Sequence, residues 1–524
     1  MENKIGLSLP FGLFTGGSSG GASEYVDAFG GVDAFLDFCG DNLDSVELRT
    51  VSNAADPDVV LGAVKSLKEK GLTVTLHGKL CEAEEFFTPY LRLFSAGLED
   101  SYTITVHPVD GFENTERLLR DICAMIDAEG YPVTVALENQ RMKETQSFGT
   151  CAEVEEIVAR IDSPHLAICF DFGHQLTNER RGLEPAPTDG FLSRVCHTHI
   201  HALCERTHFP LSAGECLLDR NVTELLSLGY GGVLNLELSP ERYGDKIDVG
   251  ASLRDSISML KAAELQVRAK LDTLNFYKKE YLDTIKCARA RFDGSDNCAL
   301  LVGHAGYLLK LDGVRIAVDI APRIMPIDDA AKEFLREWIS EFDAIIATHS
   351  HGDHYDRDFI ISLPDSVKKL IPDFLPLEVG GRVKLRHGSS LKLGNIDLTF
   401  FEGAHLFEGN GVPELGFALG RGEDSYVFPA DARDYGFVYP HFDNVKVLFA
   451  HLWLGRALAL RGYEQFVDRF CRFIESFGAE RCYVAHMRET SRNVENMWSD
   501  IHLDAVRKIL PDVKEAKIGE IIAL

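Results

Sequence analysis

The first 250 residues alternate short apolar segments with amphipathic ones, and this alternation constrains the fold more than any other feature of the sequence. The amphipathic segments have a helical pattern, and strand-like segments recur about every 30 residues. Eight segments are predicted to be strands: residues 4–9, 45–49, 73–77, 102–107, 133–138, 165–171, 195–201 and 232–238. Such alternation predicts a parallel sheet, and eight strands favour its closure into a (β/α)8 barrel.

The sequence changes character beyond this region. No glycine or proline occurs between Ala251 and Asp293, and apolar residues recur there at helical spacing. After Gly294 short β-type segments predominate, which indicates a second α/β domain. We therefore predict a barrel over residues 1–265, a helical linker over 266–294 and a second domain over 295–524.

Charge and hydropathy limit the partners of the chain. It carries 81 acidic and 54 basic side chains, a net charge of −27. Because nucleic-acid binding requires a basic face, this balance argues against a nucleic-acid partner and favours a small-molecule substrate. No apolar run reaches the roughly 18 residues of a membrane span, and no signal-peptide pattern opens the sequence. We expect a cytoplasmic protein with no membrane partner; a homo-oligomer is compatible with the sequence.

Polar residues stand at the ends of six consecutive predicted strands. They are His77, His107, Glu138, Asp171, His199 and Glu237. In a parallel barrel the carboxyl ends of the strands converge on one mouth, so these side chains can meet although they are far apart in sequence. His174 and His208 lie shortly after two of these strands. Histidine and carboxylate without cysteine suit zinc, manganese or a comparable divalent ion.

The same residues have a simpler interpretation when taken singly. A strand-end histidine is more often a hydrogen-bonded structural residue than a metal ligand. Chance is a poor explanation, however, for six consecutive strands that end in this way. His197 and His201 share the alternation phase of His199, so the pattern leaves open which of the three is the ligand.

Four segments resemble the xylose-isomerase-like TIM-barrel superfamily, which contains sugar isomerases and epimerases and the endonuclease IV-like enzymes. They are Val135-Ala-Leu-Glu138-Asn, Cys169-Phe-Asp171-Phe-Gly-His174, His199-Ile-His201 with Arg206-Thr-His208, and Leu236-Glu237. The resemblance covers nearly all of residues 1–265. It implies a zinc or manganese ion bound by Glu138, Asp171, His199 and Glu237.

The resemblance also implies a reaction, namely proton transfer beside a substrate carbonyl. Glu138 and Glu237 would be the catalytic residues that exchange protons with carbon, while the metal polarises the substrate oxygens. His77, His107 and His174 would bind substrate hydroxyls or a second ion, and Arg49 is a candidate for an anionic group of the substrate.

The endonuclease branch of the superfamily offers a different comparison. Its cluster of several metals uses histidines that match His77, His107, His174 and His208. Arg206 stands where that branch has an aspartate ligand, so the match is incomplete. We keep His174 and His208 as candidate ligands of a further ion, and rank DNA cleavage below sugar chemistry because the first half of the chain is strongly acidic.

The second half contains a compact motif, Ala347-Thr-His349-Ser-His351-Gly-Asp353-His354, directly after an apolar segment. It places four side chains that can bind metal within six residues. His405, Asp431 and His486 also follow apolar segments. Such a set predicts a metal centre built at strand ends.

The order of these residues resembles the metallo-β-lactamase-fold hydrolases, which have an αββα fold, over residues 297–490. The resemblance implies two zinc ions, or manganese or iron, with Asp431 as the bridging ligand. His349, His351 and His405 would hold one ion, and Asp353, His354 and His486 the other. Asp353 would also orient the nucleophilic water that such ions activate.

The segments Gly303-His304-Ala305-Gly306 and 343–349 are similar to the branch that contains ascorbate-6-phosphate lactonase. The leading hypothesis is a bifunctional metalloenzyme of carbohydrate metabolism, a sugar isomerase or epimerase fused to a hydrolase of lactones, esters or phosphodiesters. Its substrate would be a sugar or sugar acid, with or without phosphate. One alternative is a nuclease or nucleotide phosphodiesterase, and another is that one domain is a non-catalytic scaffold or sensor.

Overall fold

The computed structural model describes residues 2–17, 19–109, 111–143 and 148–524. The chain divides into two compact units, Met1–Val267 and Arg268–Leu524.

The first unit is a closed barrel of eight strands in sequential order, in which β8 pairs with β1 and all neighbouring strands are parallel. The strands are β1 (Lys4–Pro10), β2 (Ser45–Arg49), β3 (Thr73–Gly78), β4 (Tyr102–Val106), β5 (Val133–Glu138), β6 (Leu166–Asp171), β7 (Val195–His199) and β8 (Val233–Leu236). The prediction of a (β/α)8 barrel is therefore confirmed. Each strand ends within two residues of its predicted limit because the apolar runs stop where the strands leave the barrel interior.

Helices connect the strands of the barrel. They are α1 (Gly12–Thr15), α2 (Ala22–Phe29), α3 (Val32–Asn42), α4 (Pro57–Glu69), α5 (Ala83–Phe87), α6 (Leu91–Ala96), α7 (Phe112–Glu129), α8 (Cys151–Ile161), α9 (Phe172–Arg180), α10 (Asp189–Leu192) and α11 (Leu218–Ser227). Local sequence fixes several starts: Asp56 caps α4 ahead of Pro57, and Thr150 with Glu153 forms a capping box on α8. A longer helix, α12 (Val249–Lys279), follows the last strand.

The second unit contains two seven-stranded sheets. The first has the order β14-β13-β12-β11-β10-β9-β22, and the second the order β15-β16-β17-β18-β19-β20-β21. The strands are β9 (Cys298–Leu301), β10 (Tyr307–Leu311), β11 (Val314–Val318), β12 (Ala344–Ile346), β13 (Lys368–Pro372), β14 (Arg382–Leu385), β15 (Ser390–Leu393), β16 (Ile396–Glu402), β17 (Leu415–Arg421), β18 (Asp424–Phe428), β19 (Val445–His451), β20 (Arg481–Ala485), β21 (Lys514–Glu515) and β22 (Ile521–Ala523).

The helices of this unit lie on the outer faces of the sheets. They are α13 (Tyr281–Gly294), α14 (Asp329–Ile339), α15 (Arg357–Ser362), α16 (Glu464–Ser476) and α17 (Asp500–Arg507). One core packs α13 and α14 against the first sheet, a second fills the space between the sheets, and a third packs α16 and α17 against the second sheet. This four-layer αββα arrangement confirms the predicted fold class.

Among the helices of the described residues, none has the length and apolar character required to cross a membrane.

The packing between the two sheets gives a test of stability. Val447 is fully buried in this middle core, whereas Val438 is 88% exposed. We expect Val447→Ala to lower the free energy of unfolding by about 2 kcal/mol, because it removes two buried methyl groups and leaves a cavity. The matched change Val438→Ala should cost less than about 0.5 kcal/mol. All three tryptophans, Trp338, Trp453 and Trp498, lie in this unit, so urea unfolding followed by tryptophan fluorescence measures both effects. Equal costs for the two variants would contradict the assigned core.

Candidate metal centres

The barrel brings the predicted strand-end residues together at the carboxyl ends of its strands. Glu138, Asp171 and His199 are the last residues of β5, β6 and β7, and His107 and Glu237 follow β4 and β8 directly. His77 is the penultimate residue of β3. Except for His107, which is half exposed, these side chains are buried.

Glu138 lies at the centre of this group. Four imidazole nitrogens surround its carboxylate: His77 Nε2 at 3.2 Å, His107 Nε2 at 3.1 Å, His199 Nδ1 at 3.2 Å and His174 Nδ1 at 3.3 Å. Burial alone would raise the pKa of Glu138, but the imidazoles of His107 and His199 lower it well below its usual range. Glu138 is therefore an ionised carboxylate surrounded by potential metal ligands.

The hydrogen bonds of His77 show why a cation suits this group. Its Nδ1 lies 3.3 Å from the carbonyl oxygen of Gly78, which can only accept a hydrogen bond, so Nδ1 is the donor. A neutral imidazole has a single N–H group, and Nε2 then presents a lone pair to the Glu138 carboxylate. Either a proton or a metal ion must separate these two acceptors.

A second group adjoins the first and comprises Asp171, His174, His201 and His208, whose ligand atoms all lie within 4.8 Å of one another. Asp171 caps α9 by accepting the amide of His174, which fixes both residues at the end of β6. His208 Nε2 lies 3.1 Å from Glu237 Oε2, so the group extends to β8. Gly173 leaves room for the ring of His201, because a Cβ atom there would lie 1.9 Å from His201 Cε1.

The structure distinguishes the three histidines of the β7 segment, all of which are buried. His199 Nδ1 lies 3.2 Å from Glu138 and 3.4 Å from Glu237 and has no hydrogen-bond partner among the described residues. Both nitrogens of His201 are engaged: Nδ1 accepts the amide of His208, and Nε2 lies 3.1 Å from Asp171. Nδ1 of His197 also lacks a hydrogen-bond partner among the described residues, but the carboxylate contact of His197 is to Glu47. His199 therefore presents a free nitrogen towards the two glutamates.

Sequence analysis missed Glu47, a buried residue in the middle of β2. Its carboxylate lies 2.9 Å from His199 Nε2 and 3.3 Å from His197 Nε2, and it accepts a hydrogen bond from Ser8. By accepting the Nε2 proton of His199, Glu47 directs the Nδ1 lone pair towards Glu138. The available signal was the acidic residue inside the apolar strand Ser45-Val-Glu47-Leu-Arg49, where the two flanking residues are apolar.

Basic side chains lie around the mouth of the barrel. Arg49 donates to the carbonyl oxygens of Gly20 and Leu238, and its guanidinium is 4.0 Å from Glu237. Arg242 lies 3.2 Å from His208 Nδ1. Burial lowers the pKa of Arg141, and the positive charges of Arg181, Arg242 and Arg206 lower it further. Arg206, which replaces the aspartate of the endonuclease pattern, is exposed and belongs to this group of cations.

The motif residues of the second unit also lie at strand ends. His349, His405 and Asp431 each stand three residues after β12, β16 and β18, and His486 directly follows β20. Two sets of ligand atoms result, each within 4.8 Å: His349, His351, His405 with Asp431, and His354, His451, His486 with Asp431. Asp431 belongs to both sets, the position that the resemblance assigns to a bridging ligand. The structure thus brings together all seven predicted ligands of this unit.

His354 and His486 face each other at close range. Their Nε2 atoms are 3.1 Å apart. The Nδ1 of His354 lies 2.8 Å from Asp319, and that of His486 lies 2.6 Å from Glu489, so both Nδ1 atoms are donors. When both imidazoles are neutral, two Nε2 lone pairs point at one another, and either a proton on one of them or a metal ion between them relieves this contact.

The other half of this centre has similar contacts. His349 Nε2 lies 3.2 Å from His351 Nδ1, and His405 Nε2 lies 3.2 Å from Asp431 Oδ2. Asp353 lies 3.2 Å from His486 Nε2. Burial would raise the pKa of Asp353, but the charges of His354 and His486 lower it strongly.

The residues that support this centre were not among the predicted site residues. His451 belongs to the second set of ligand atoms, and its Nδ1 has no partner among the described residues. The supporting carboxylates are Asp319, Glu414 and Glu489, and the supporting guanidiniums are Arg433 and Arg492. These residues come from separate elements and form no local sequence motif. The sequence could have indicated them only by their side-chain type.

Comparison with known proteins relates the first unit to one family. Residues 83–263 match the family model of the xylose isomerase-like TIM barrel. The uncharacterized protein MJ1188 of Methanocaldococcus jannaschii is 31% identical over 111 residues, which are 21% of this chain. The match spans only 39% of that relative's length.

Solved structures resemble each unit at low identity. The metallo-beta-lactamase fold protein YhfI from Bacillus subtilis is 16% identical and covers 44% of this chain and 99% of its own, with a TM-score of 0.33. The apo form of 3-keto-D-glucoside 4-epimerase, YcjR, from E. coli is 15% identical and covers 50% of this chain and 99% of its own, with a TM-score of 0.36.

The role of Glu47 can be measured directly. Glu47→Gln keeps the shape of the side chain but removes the charge that polarises His199. We expect zinc or manganese to bind the barrel about tenfold more weakly, as for other residues that orient a ligand histidine. Competition with a chromogenic chelator, in a chain that also carries Asp431→Ala, measures this affinity. Glu129→Gln, an exposed change at the end of α7, is the control. If Glu47→Gln leaves the metal affinity of the barrel unchanged, Glu47 does not orient His199 for metal binding.

The two centres also predict the metal content of the chain. Asp171→Ala and Asp431→Ala should each lower the number of divalent ions per chain after loading and desalting, because each removes a carboxylate shared by several imidazoles. His441→Ala, at a side chain that is 87% exposed, should leave the content unchanged. Elemental analysis of the three variants measures this. Wild-type content in both aspartate variants would contradict the assigned ligands.

Proposed function

We propose that this chain is a bifunctional metalloenzyme in which the barrel isomerises or epimerises a sugar or sugar acid and the second unit hydrolyses a lactone or ester. The observation that carries the proposal is the presence of two separate groups of buried imidazoles and carboxylates whose facing atoms are placed as metal ligands would be. Metals bound there would polarise substrate oxygens and stabilise negative charge that develops on them.

In the barrel, Glu138 and Glu237 are the proposed proton-transfer groups. Both lie close to His199 Nδ1, so both carboxylates face the same ligand-binding region. Glu138 is fully buried, but its Oε2 lies 3.1 Å from Nε2 of the half-exposed His107. A proton taken up by Glu138 can therefore pass to His107 and reach solvent without the site opening. His77 and His174 would hold substrate hydroxyls.

The cations around the barrel mouth support an anionic substrate. Arg141, Arg206 and Arg242 gather there in a chain whose net charge is −27. Because like charges repel, such a group is retained at a cost in stability unless it meets a negative partner. A sugar phosphate or sugar acid supplies one.

In the second unit, Asp353 is the proposed group that orients the nucleophilic water. Arg492 donates to its Oδ2 at 3.1 Å and fixes its direction, while Arg433 does the same for Asp431 at 3.0 Å. The similarity of segments 303–306 and 343–349 to the ascorbate-6-phosphate lactonase branch supports a lactone as the bond that is cleaved. A cytoplasmic location, as expected from the sequence, is part of this proposal.

A nuclease activity of the barrel is the second candidate. It is favoured by the group of Asp171, His174, His201 and His208, which adds histidines beyond those that one sugar-binding metal requires. Cleavage of abasic-site or single-stranded DNA in dilute salt, absent from Asp171→Ala, would replace sugar chemistry as the proposed reaction of the barrel.

The division of labour is testable with two variants. Glu138→Gln should abolish isomerase or epimerase activity while hydrolysis stays within about twofold of wild type, and His351→Ala should do the reverse, since each change removes one group of a separate centre. A panel of sugars, sugar phosphates, sugar acids and lactones, assayed on the metal-loaded full chain, measures both activities. Loss of both activities from either variant would indicate one composite site instead.

A further inference from the structure

A pocket of about 660 Å³ opens beside the second metal centre, and its wall carries three arginines. His351 and Asp353 of the centre line one side, and Arg433, Arg456 and Arg492 line the rest together with Trp453. This volume matches that of pockets for small molecules. Substrate that reaches the centre through this pocket must pass the three guanidiniums.

Two of the arginines have partners within the centre. Arg433 donates to Asp431 and Arg492 donates to Asp353, and Arg492 also pairs with Glu489. Their two aspartate partners are proposed metal ligands. Arg433 and Arg492 are therefore held in place and are not free to move towards a ligand.

Arg456 differs from the other two. It is exposed, and no hydrogen bond or ion pair joins it to another residue in the part of the chain that the structure describes. An arginine that faces a pocket without an internal partner retains all five of its N–H donors for a ligand.

The backbone around Arg456 is fixed. Gly455 has φ of 108°, and a Cβ atom there would lie 2.5 Å from Leu458 Cδ1. Ala457 has φ of 53°, a left-handed conformation that costs energy for a residue with a side chain. The amide of Ala457 donates to Asn496 Oδ1 at 2.9 Å, which helps to hold this turn. The strained turn presents Arg456 at the pocket.

Guanidiniums outnumber carboxylates among the residues that line the pocket. Asp353 is the single carboxylate among the described lining residues, against three guanidiniums, whereas the chain carries −27. A neighbouring pocket of about 300 Å³ shares Arg433, Trp453 and Arg456 with the first and adds the carboxylate Glu408, so the cleft continues past Arg456. Positive charge concentrated in such a cleft attracts anions.

We propose that this pocket binds substrates that carry an oxyanion group, phosphate or carboxylate, with Arg456 as its anchor and the hydrolysed bond placed over His351 and Asp353. This inference rests on the proposed hydrolase function and specifies its substrate class. Phosphate and carboxylate share the planar, multidentate recognition that a guanidinium provides.

The kinetic test compares three lactones on the zinc-loaded full chain: 6-phosphogluconolactone with a phosphate, glucaro-1,4-lactone with a carboxylate, and neutral gluconolactone. We expect kcat/KM to be at least about tenfold higher for one or both anionic lactones than for the neutral one. Arg456→Ala should raise KM for the anionic lactones about tenfold with little change in kcat, and Arg456→Lys should recover part of the loss.

Lys446→Ala is the matched control because it also removes one surface cation. Lys446 lies near the start of β19, the strand that ends at His451, so about 17 Å of extended chain separates it from the centre. This variant should retain wild-type KM for all three lactones.

A binding measurement separates failure of this inference from failure of the proposed function. Calorimetric titration of the full chain with 6-phosphogluconate, glucarate and glucose requires no turnover. Binding of either anion that weakens about tenfold in Arg456→Ala supports the pocket even if no lactone is hydrolysed, in which case the proposed function alone fails. Equal kcat/KM for neutral and anionic lactones would overturn the inference. Unchanged KM and Kd in Arg456→Ala would also overturn it, as would tighter binding of oligonucleotides than of the sugar anions.

Discussion

Both centres depend on close contacts between buried imidazole nitrogens and carboxylate oxygens that can each accept a hydrogen bond. In the barrel, Nε2 of a neutral His77 and the Glu138 carboxylate would both be acceptors at 3.2 Å, and in the second unit the Nε2 atoms of His354 and His486 are 3.1 Å apart. Bringing such groups out of water without a cation is costly. The surrounding strands nevertheless hold these groups in place. A proton or a metal ion between the facing atoms lowers the energy of this arrangement.

The backbone also bears strain at these centres. His208, Asp319 and His486 have positive φ values of 70°, 48° and 67°, although none of them is glycine. Each such residue costs of the order of 1 kcal/mol or more, and its surroundings must impose the conformation. His486, for example, donates its amide to the carbonyl oxygen of His304. The orientation of these side chains therefore comes with an unfavourable backbone conformation at each residue.

Both units combine an acidic chain with a locally basic entrance. The cations around the barrel mouth and the three arginines of the second pocket are few, but they lie beside the candidate metal centres. Net charge therefore gives a poor account of what each site attracts, because the local field at a cleft depends on the nearest charges. Charge counted over the sequence argued against nucleic acid, and it gave no indication of these local groups of cations.

The sequence by itself determined the fold class and marked most of the candidate ligands. Strand–helix alternation specified the barrel because parallel strands need crossovers of regular length, and the compact motif of His349 to His354 specified the second centre because its ligands are adjacent in sequence. Tertiary structure alone decided which histidine of the β7 segment places a free nitrogen beside Glu138 and Glu237, since period-2 alternation places His197, His199 and His201 on the same face. It alone also brought Glu47 to His199 and Arg456 to the pocket, because neither contact leaves a local pattern. Sequence periodicity indicates which face of a strand or helix a side chain lies on. Which residues that side chain contacts depends on the tertiary structure.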